Sequence, residues 1–474
     1  MIDILQTVNG FVWGVPALIL IIAVGVYLSV CTGFAQFTLF PQAFKEFLIK
    51  LRGRKNTKNG TSPYRALCTA LAATVGTGNL AGVAGAIAIG GPGSVFWMWI
   101  CALLGMITKY AEATLAVRYR TKNKSGEIVG GPMYLIRDGL GQKWNWLANV
   151  FCFFGVVASF GVGNATQVNA VVGGINSALS FLGLRETVTK NWVIGIMLAV
   201  SVGFMLLGGS SRIGSFAERL VPFASMLYII LATGVLFIRF EMIGKAFKSI
   251  IYGAFNPLAV TGGILGSTFQ ALRVGASRGV FTNEAGMGTA AIAHAAADVD
   301  HPAEQGLMGI MEVFLDTILI CTLTALVILC SGVDIPYGTD AGVLLTTDAF
   351  SQIYGNWITI PISVALCCFA FATILGWGLY GARCAQYLFG EKVWKPYALM
   401  QVLVVIVGAV MNTGTVWLIA EIVNGLMAIP NLFALAWLSP ELAKLTAQFR
   451  NIAREKQKSY KSVDIFTEYA KITQ

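Results

Sequence analysis

The residues best suited to binding chemistry lie inside an apolar run. Val75, Gly76, Thr77, Gly78 and Asn79 spell VGTGN within a hydrophobic segment spanning about residues 65–90. A helix broken in hydrocarbon exposes backbone N–H and C=O groups, and leaving them unpaired is costly. A half-helix restarting near Gly78 points free N–H groups and a positive dipole end at the break, which suits a carboxylate. The carbonyls of Ala72 and Val75, ending the preceding half-helix, suit a hard cation such as sodium, and the Asn79 amide oxygen adds a neutral ligand. The same small residues also suit a tight helix crossing, and the two readings are evenly matched on these residues alone.

Three further constellations sit in apolar surroundings. Asn164 and Gln167 lie one turn apart in FGVGNATQVNA. Gln167 could accept a substrate amine, or could bond to a neighbouring helix. Thr373 and Trp377 are four apart, on one helix face, and could bound a small pocket or simply pack. Charges within membrane segments are functional hypotheses by default. Arg273, Arg278 and Glu284 lie along one such segment, Glu312 and Asp316 share a face of the next, and Lys109 and Glu112 lie one turn apart on another. The expectation is that Arg278, Glu284 and Glu312 form a cytoplasmic-side gate; static interhelical ion pairs are the alternative.

Covalent and redox chemistry fit poorly. There are two histidines, and the nine cysteines are scattered without metal-ligand spacing, so no transition metal and no organic cofactor are expected. GTGNLAG does not end in the Lys-Ser/Thr of a phosphate loop, which argues against an ATPase. The net charge of +10 gathers in alternate loops, a topological signature, so no nucleic-acid partner is expected. No protein partner is indicated either.

The elements that must position these residues are membrane helices. The chain of 474 residues is 56% hydrophobic and only 12% charged, against about 25% charged in soluble domains. Its apolar runs predict an all-α polytopic protein of the lipid bilayer with eleven spans, near 11–33, 65–90, 94–118, 146–181, 191–208, 216–238, 258–290, 304–332, 357–388, 396–412 and 414–438. Basic loops at 45–58 and 118–143 and a basic tail predict an outside N-terminus and a cytoplasmic C-terminus in the cytoplasmic membrane. The intervening loop 333–356 carries Asp334, Asp340 and Asp348 and no basic residue. Segment 39–50 reads as an amphipathic interfacial helix.

Setting aside the first span and its basic segment (1–64), the rest divides into two five-helix sets, 65–238 and 258–438, joined by 239–257 and followed by a basic tail at 439–474. Five being odd, the sets have opposite orientation. The leading span of each is expected to be interrupted, by VGTGN at 75–79 and by RVGASRG at 273–279, a pairing that points to a transporter binding site. Phe269 and Gln270, beside the second interruption, are expected to line it.

Three runs resemble the alanine or glycine:sodium symporter family: GGPGSVFWMWICALLGM (90–106), GGPMYLIRDGLG (130–141) and RGVFTNEAGMGTAAIAHAAA (278–297). That family is similar in core fold to the neurotransmitter:sodium symporters, with the 5+5 inverted repeat of the bacterial leucine transporter. The resemblance implies sodium-coupled import of a small neutral amino acid, alanine or glycine, by alternating access. Proton coupling on the same fold is the first alternative and a channel the second. By the same resemblance, Thr77 and Gly78 would offer amides to the substrate carboxylate, and Asn79 would help hold a sodium beside it. Ala72, Val75 and Ala370 would offer carbonyls, and Thr373 its hydroxyl, to a second sodium. Ile374 stands where the leucine transporter has a second hydroxyl.

Overall fold

Apolar runs long enough to cross a bilayer can satisfy their backbone only as helices, and helices dominate this computed structural model. It describes residues 2–52, 60–261, 263, 267–339, 342–411 and 414–472. Arg54, Lys55 and Lys58 of the basic loop and Asp340 of the acidic one lie outside the described residues.

Helices α1 (Ile2–Val12) and α2 (Val15–Cys31) precede the core, and α3 (Phe40–Arg52) docks its apolar face through Phe40, whose ring meets Phe314 at 5.0 Å. The first set runs α4 (Pro63–Thr74), α5 (Val83–Gly90), α6 (Gly93–Arg118), α7 (Asn145–Phe160), α8 (Thr166–Phe181), α9 (Val188–Leu207) and α10 (Gly209–Ile238). A two-stranded hairpin, Thr121–Lys122 with Ile128–Val129, follows α6. After the connecting helix α11 (Phe240–Phe255), the second set runs α12 (Thr268–Asn283), α13 (Thr289–His294), α14 (Pro302–Val313), α15 (Thr322–Ser331), α16 (Gly342–Tyr354), α17 (Thr359–Phe389), α18 (Trp394–Gly408) and α19 (Gly414–Trp437); α20 (Ser439–Ile472) is the tail.

The described residues form an all-α set of apolar helices. Among the described residues seven helices are long and apolar enough to cross, or nine when two bent pairs each count as one span. One bent pair is Pro63–Thr74 with Gly78–Gly90, turning by 54° at VGTGN. Of the eleven expected spans, 258–290 is divided into the short pieces α12 and α13, and 396–412 is represented by the 15-residue α18.

Small residues let the core helices approach closely, the usual device where lipid supplies no hydrophobic drive for association. A Cβ on Gly309 would lie 2.7 Å from the Lys109 carbonyl, and one on Gly275 would lie 2.2 Å from the Ser94 carbonyl. The second contact corrects the expectation of a break at 273–279. There α12 is continuous, and Gly275 and Gly279 are contact points with α6, Gly279 against Met98. The chain breaks one to two turns later, at 284–288, where Glu284, Gly286 and Gly288 all have positive φ.

Candidate functional site

Helix α4 ends at Thr74, and Val75 turns to φ −76°, ψ 95°. Beyond that point the i→i+4 ladder fails. The N–H of Gly76, which would have returned to Ala72, donates instead to Asn79 Oδ1 at 2.8 Å. The Asn79 N–H turns back to the Gly76 carbonyl. Among the described residues the carbonyls of Ala72 and Val75 and the N–H groups of Thr77 and Gly78 therefore have no hydrogen-bond partner in the protein. These are the four backbone groups expected from sequence to bind ligands, two acceptors before the break and two donors after it.

The chain restarts as a π-helical turn, Gly78–Gly82, before α5. Of the three further π-turns among the described residues, two interrupt helix pairs, Gly161–Ala165 between α7 and α8 and Phe314–Cys321 between α14 and α15. Such turns free backbone groups from the regular ladder and recur at functional sites. The first turn and these two each carry a fully buried polar side chain: Asn79, Asn164 and Asp316. Asn79 Nδ2 donates to Asp316 Oδ1 at 2.7 Å, and Thr317 Oγ1 donates to Asp316 Oδ2 at 2.7 Å. A buried carboxylate thus stands beside the first break with only neutral hydrogen-bond donors on its oxygens.

Gln167 and Thr373 also reach the break. Thr77 Oγ1 donates to Gln167 Oε1 at 3.2 Å, and Gln167 Nε2 is spent on the Val162 carbonyl. A Cβ on Gly76 would lie 2.7 Å from Thr373 Oγ1, and one on Gly376 would lie 2.9 Å from the Ala73 nitrogen. The end of α4 therefore lies against α17 at the turn bearing Thr373 and, three residues earlier, Ala370. A cavity of about 450 Å³ descends to this hub from the face bearing the start of α16, and Gly78, Asn169, Arg278, Phe281, Thr347 and Ser363 are among its walls.

The second break is held differently. Glu112 Oε1 accepts from the N–H groups of Gly286 and Gly288, both at 3.0 Å, and from Asn431 Nδ2 at 2.8 Å. Asn283 Oδ1 caps the Ala285 N–H. Glu284 accepts from Thr289 Oγ1 at 2.5 Å and Trp377 Nε1 at 2.8 Å. Trp377 is thus fully buried against Glu284 and does not line the cavity.

Two further expectations need correcting. Phe269 is 53% exposed and Gln270 donates to the Ile89 carbonyl; both lie near the start of α12, far along the helix from its break, and neither lines the cavity. They fall away because the break moved from 273–279 to 284–288. The expected gate also separates. Arg278 borders the cavity and sits 3.9 Å from Glu421 of α19. Glu312, fully buried, takes the Lys109 ammonium at 2.9 Å and His294 Nε2 at 2.8 Å, while Glu284 holds its own break. Arg278 lies within α12 and the two acids beyond it, and among the described residues neither acid forms a salt bridge with it. Asn164 bonds to Gln401 of α18 across helices.

Sequence reasoning missed three residues near the first break: Thr282, whose Cγ2 would lie 2.9 Å from a Cβ on Gly78, Phe281 beside it, and Asp316 as a partner of Asn79. Asp316 and Cys321, both in bonding reach of the Asn79 amide, come from a helix more than 230 residues away, so no local pattern announced them.

The architecture, of the leucine-transporter type, is paralleled in a solved structure. A crystal structure of MhsT in complex with L-phenylalanine superposes with a TM-score of 0.54 at 14% identity, covering 84% of this chain and 99% of that one. An uncharacterized transporter of Haemophilus influenzae is 43% identical over 452 residues, 94% of this chain and 96% of the relative. The sodium/alanine symporter AgcS of Methanococcus maripaludis is 40% identical over 462 residues, 97% of this chain and 99% of the relative. With the model of the sodium:alanine symporter family matching residues 1–463, a helix pair broken at a cavity floor acquires its context: the chain is a transporter and belongs to the sodium:alanine symporter family.

Proposed function

We propose that the protein imports a small neutral amino acid, alanine or glycine, with sodium, by alternating access. The observation that carries this reading is the open first break. The N–H groups of Thr77 and Gly78 suit the substrate carboxylate, and Gly78 lines the cavity floor. Asn79, with Asp316 behind it, holds a sodium beside that carboxylate, and Asp316 supplies the negative charge that Asn79 lacks. The carbonyls of Ala72, Val75 and Ala370 and the Thr373 hydroxyl form a second sodium site. Gln167, already braced by Thr77, orients the substrate amine. Membership of the family and the likeness to AgcS support the choice of substrate and ion.

A helix bundle rocks against a scaffold around this hub, within eleven spans, N-terminus outside and C-terminus cytoplasmic, in the cytoplasmic membrane. The 450 Å³ cavity is then the outer approach to the site.

Counterflow in proteoliposomes tests the reading. Loaded with unlabelled alanine or glycine, the vesicles are expected to accumulate the labelled amino acid only with sodium present. Uptake driven by a proton gradient without sodium would instead support a proton-coupled carrier. That second reading is favoured by one observation, the buried Asp316 carboxylate with no cationic side chain bonded to it. Non-saturating flux would mark a channel.

A further inference from the structure

A second large cleft, of about 890 Å³, opens on the face bearing the hairpin. It lies between the hairpin, the turn that follows it (132–142) and the end of α17. Lys122, Lys124 and Lys392 line it, and among the described residues none of these three ammonium groups has a carboxylate within ion-pair distance. Arg137, braced 4.9 Å over the Tyr134 ring and paired with Asp138, and Arg383, paired with Glu127, add two further cations. The carboxylate in the wall, Glu391, is turned to the hairpin, accepting from the Lys124 N–H at 2.6 Å and the Ser125 hydroxyl at 3.1 Å. Cations of like sign converging on one cavity repel each other, so an anion that enters relieves that repulsion as well as gaining its own contacts.

The rim says where the cleft opens. Phe389, in its wall, is 72% exposed, and Trp146, next to the lining residue Asn145, is 58% exposed. Large aromatic side chains exposed at the ends of membrane helices mark the headgroup level. A cationic pocket between helices at that level matches the charge and depth of a phospholipid headgroup.

We propose that this cleft binds phosphate, presented as the phosphodiester of an anionic phospholipid headgroup. Lys122 and Lys124 come from the hairpin and Lys392 from the turn after α17. A bound headgroup therefore draws the hairpin towards α17, adding to the Glu391 bonds that already join them. Phosphate recognition by ammonium groups is a point-charge interaction and tolerates this spread of donors.

The test uses the purified full chain in detergent, following the midpoint of thermal unfolding. Dioctanoyl-phosphatidylglycerol is expected to raise the midpoint saturably, and dioctanoyl-phosphatidylcholine to leave it unmoved. Each of Lys122→Gln, Lys124→Gln and Lys392→Gln is expected to raise the half-saturating phosphatidylglycerol concentration about fivefold. Lys392→Arg is expected to keep it, and Arg185→Gln, an exposed residue outside the cleft, to leave it unchanged. Equal protection by phosphatidylcholine, or a phosphatidylglycerol response that survives the triple glutamine variant, overturns the proposal. Protection by inorganic phosphate at the same concentrations overturns the lipid assignment and leaves a soluble phosphate as occupant. Should the triple variant not fold, the single variants and the Lys392→Arg control decide the matter.

Discussion

At 284–288 the N–H groups of Gly286 and Gly288 meet Glu112 Oε1 at 3.0 Å, and the same carboxylate takes the Asn431 amide. At 75–77 the N–H groups of Thr77 and Gly78 meet nothing of the protein among the described residues. Both breaks leave orphan donors at the start of a new half-helix, where a negative charge is stabilising. In the second helix the chain supplies that charge from its own α6. In the first the nearby carboxylate, Asp316, is bonded to the Asn79 side chain instead, and the cavity reaches Gly78, whose N–H is left free. A break satisfied from within holds a shape; a break left unsatisfied is free to take a ligand, as proposed above. The two breaks therefore differ as a brace and a candidate site.

If the second break is a brace, damage there should show as lost stability before lost specificity. The largest effect is expected for Glu312→Ala. Removing one partner of a buried ion pair strands the other charge and costs about 3–5 kcal/mol. Here it strands Lys109, which is fully buried, and takes a partner from His294. Thermal unfolding in detergent should show the loss, with the folded yield falling in parallel. A Glu312→Ala protein as stable as the parent would break the comparison, because the buried charges that hold α13, the half-helix after the second break, through His294 would then contribute no stability.

Damage at the first break should do the reverse. Asp316→Asn keeps the shape and the bond to Asn79 while removing the charge, so it is expected to fold normally. Its sodium activation of uptake is expected to shift to at least about tenfold higher concentration, the equivalent of one 1.4 kcal/mol interaction. Thr373→Val removes one neutral ligand and should shift it less, by about fivefold, in keeping with the roughly 1 kcal/mol of one hydrogen-bonding group. Uptake measured across sodium concentrations, alongside unfolding, separates the two regions: unaltered sodium dependence in both variants would remove the first break from ion binding.

The two breaks also differed in how legible they were. VGTGN could be read as a break because what breaks it is local: glycines in an apolar run, free donors on one side, free acceptors on the other, Asn79 within reach of Gly76. The second break was misread for a physical reason. Gly275 and Gly279 look like breakers, but they are crossing glycines, needed because α6 comes within contact distance of their missing side chains. The true break begins at Glu284, a non-glycine residue with φ of 53°. What permits it is Glu112, 174 residues from its bond to Gly286, and no periodicity within α12 reports a distant carboxylate. The gate expectation failed on the same point. Opposite charges along neighbouring spans suggested one network, yet depth along the helix assigned Arg278 to the cavity and Glu312 to the buried cluster.

The smallest expected effect concerns how the hairpin face is held, where α4 and α13 converge. There the Thr61 N–H donates to the Ala296 carbonyl, and Arg120 reaches the Ala297 carbonyl. Beside them Glu127 of the hairpin takes both Arg383 of α17 and the Ser210 hydroxyl. Burial alone would raise the Glu127 carboxyl, but the hydrogen bond and charge of Arg383, with the Ser210 and Asn123 bonds, outweigh it and hold it below its ordinary value of 4.5. A carboxyl depressed in the folded state contributes stability that is fully present above its unfolded pKa and fades as pH falls through the folded one. The unfolding midpoint should therefore be insensitive to this group at pH 6 and above and decline below about pH 4.5, and Glu127→Gln should flatten part of that decline. The Glu127 side chain is 40% exposed, so solvent screens the pair and the change is expected to be slight. It still sharpens the comparison. The brace would then extend to the surface as charge held by charge, whereas the open break at 75–78 has the neutral Asn79, Gln167 and Thr373 around it, with Asp316 bonded to Asn79.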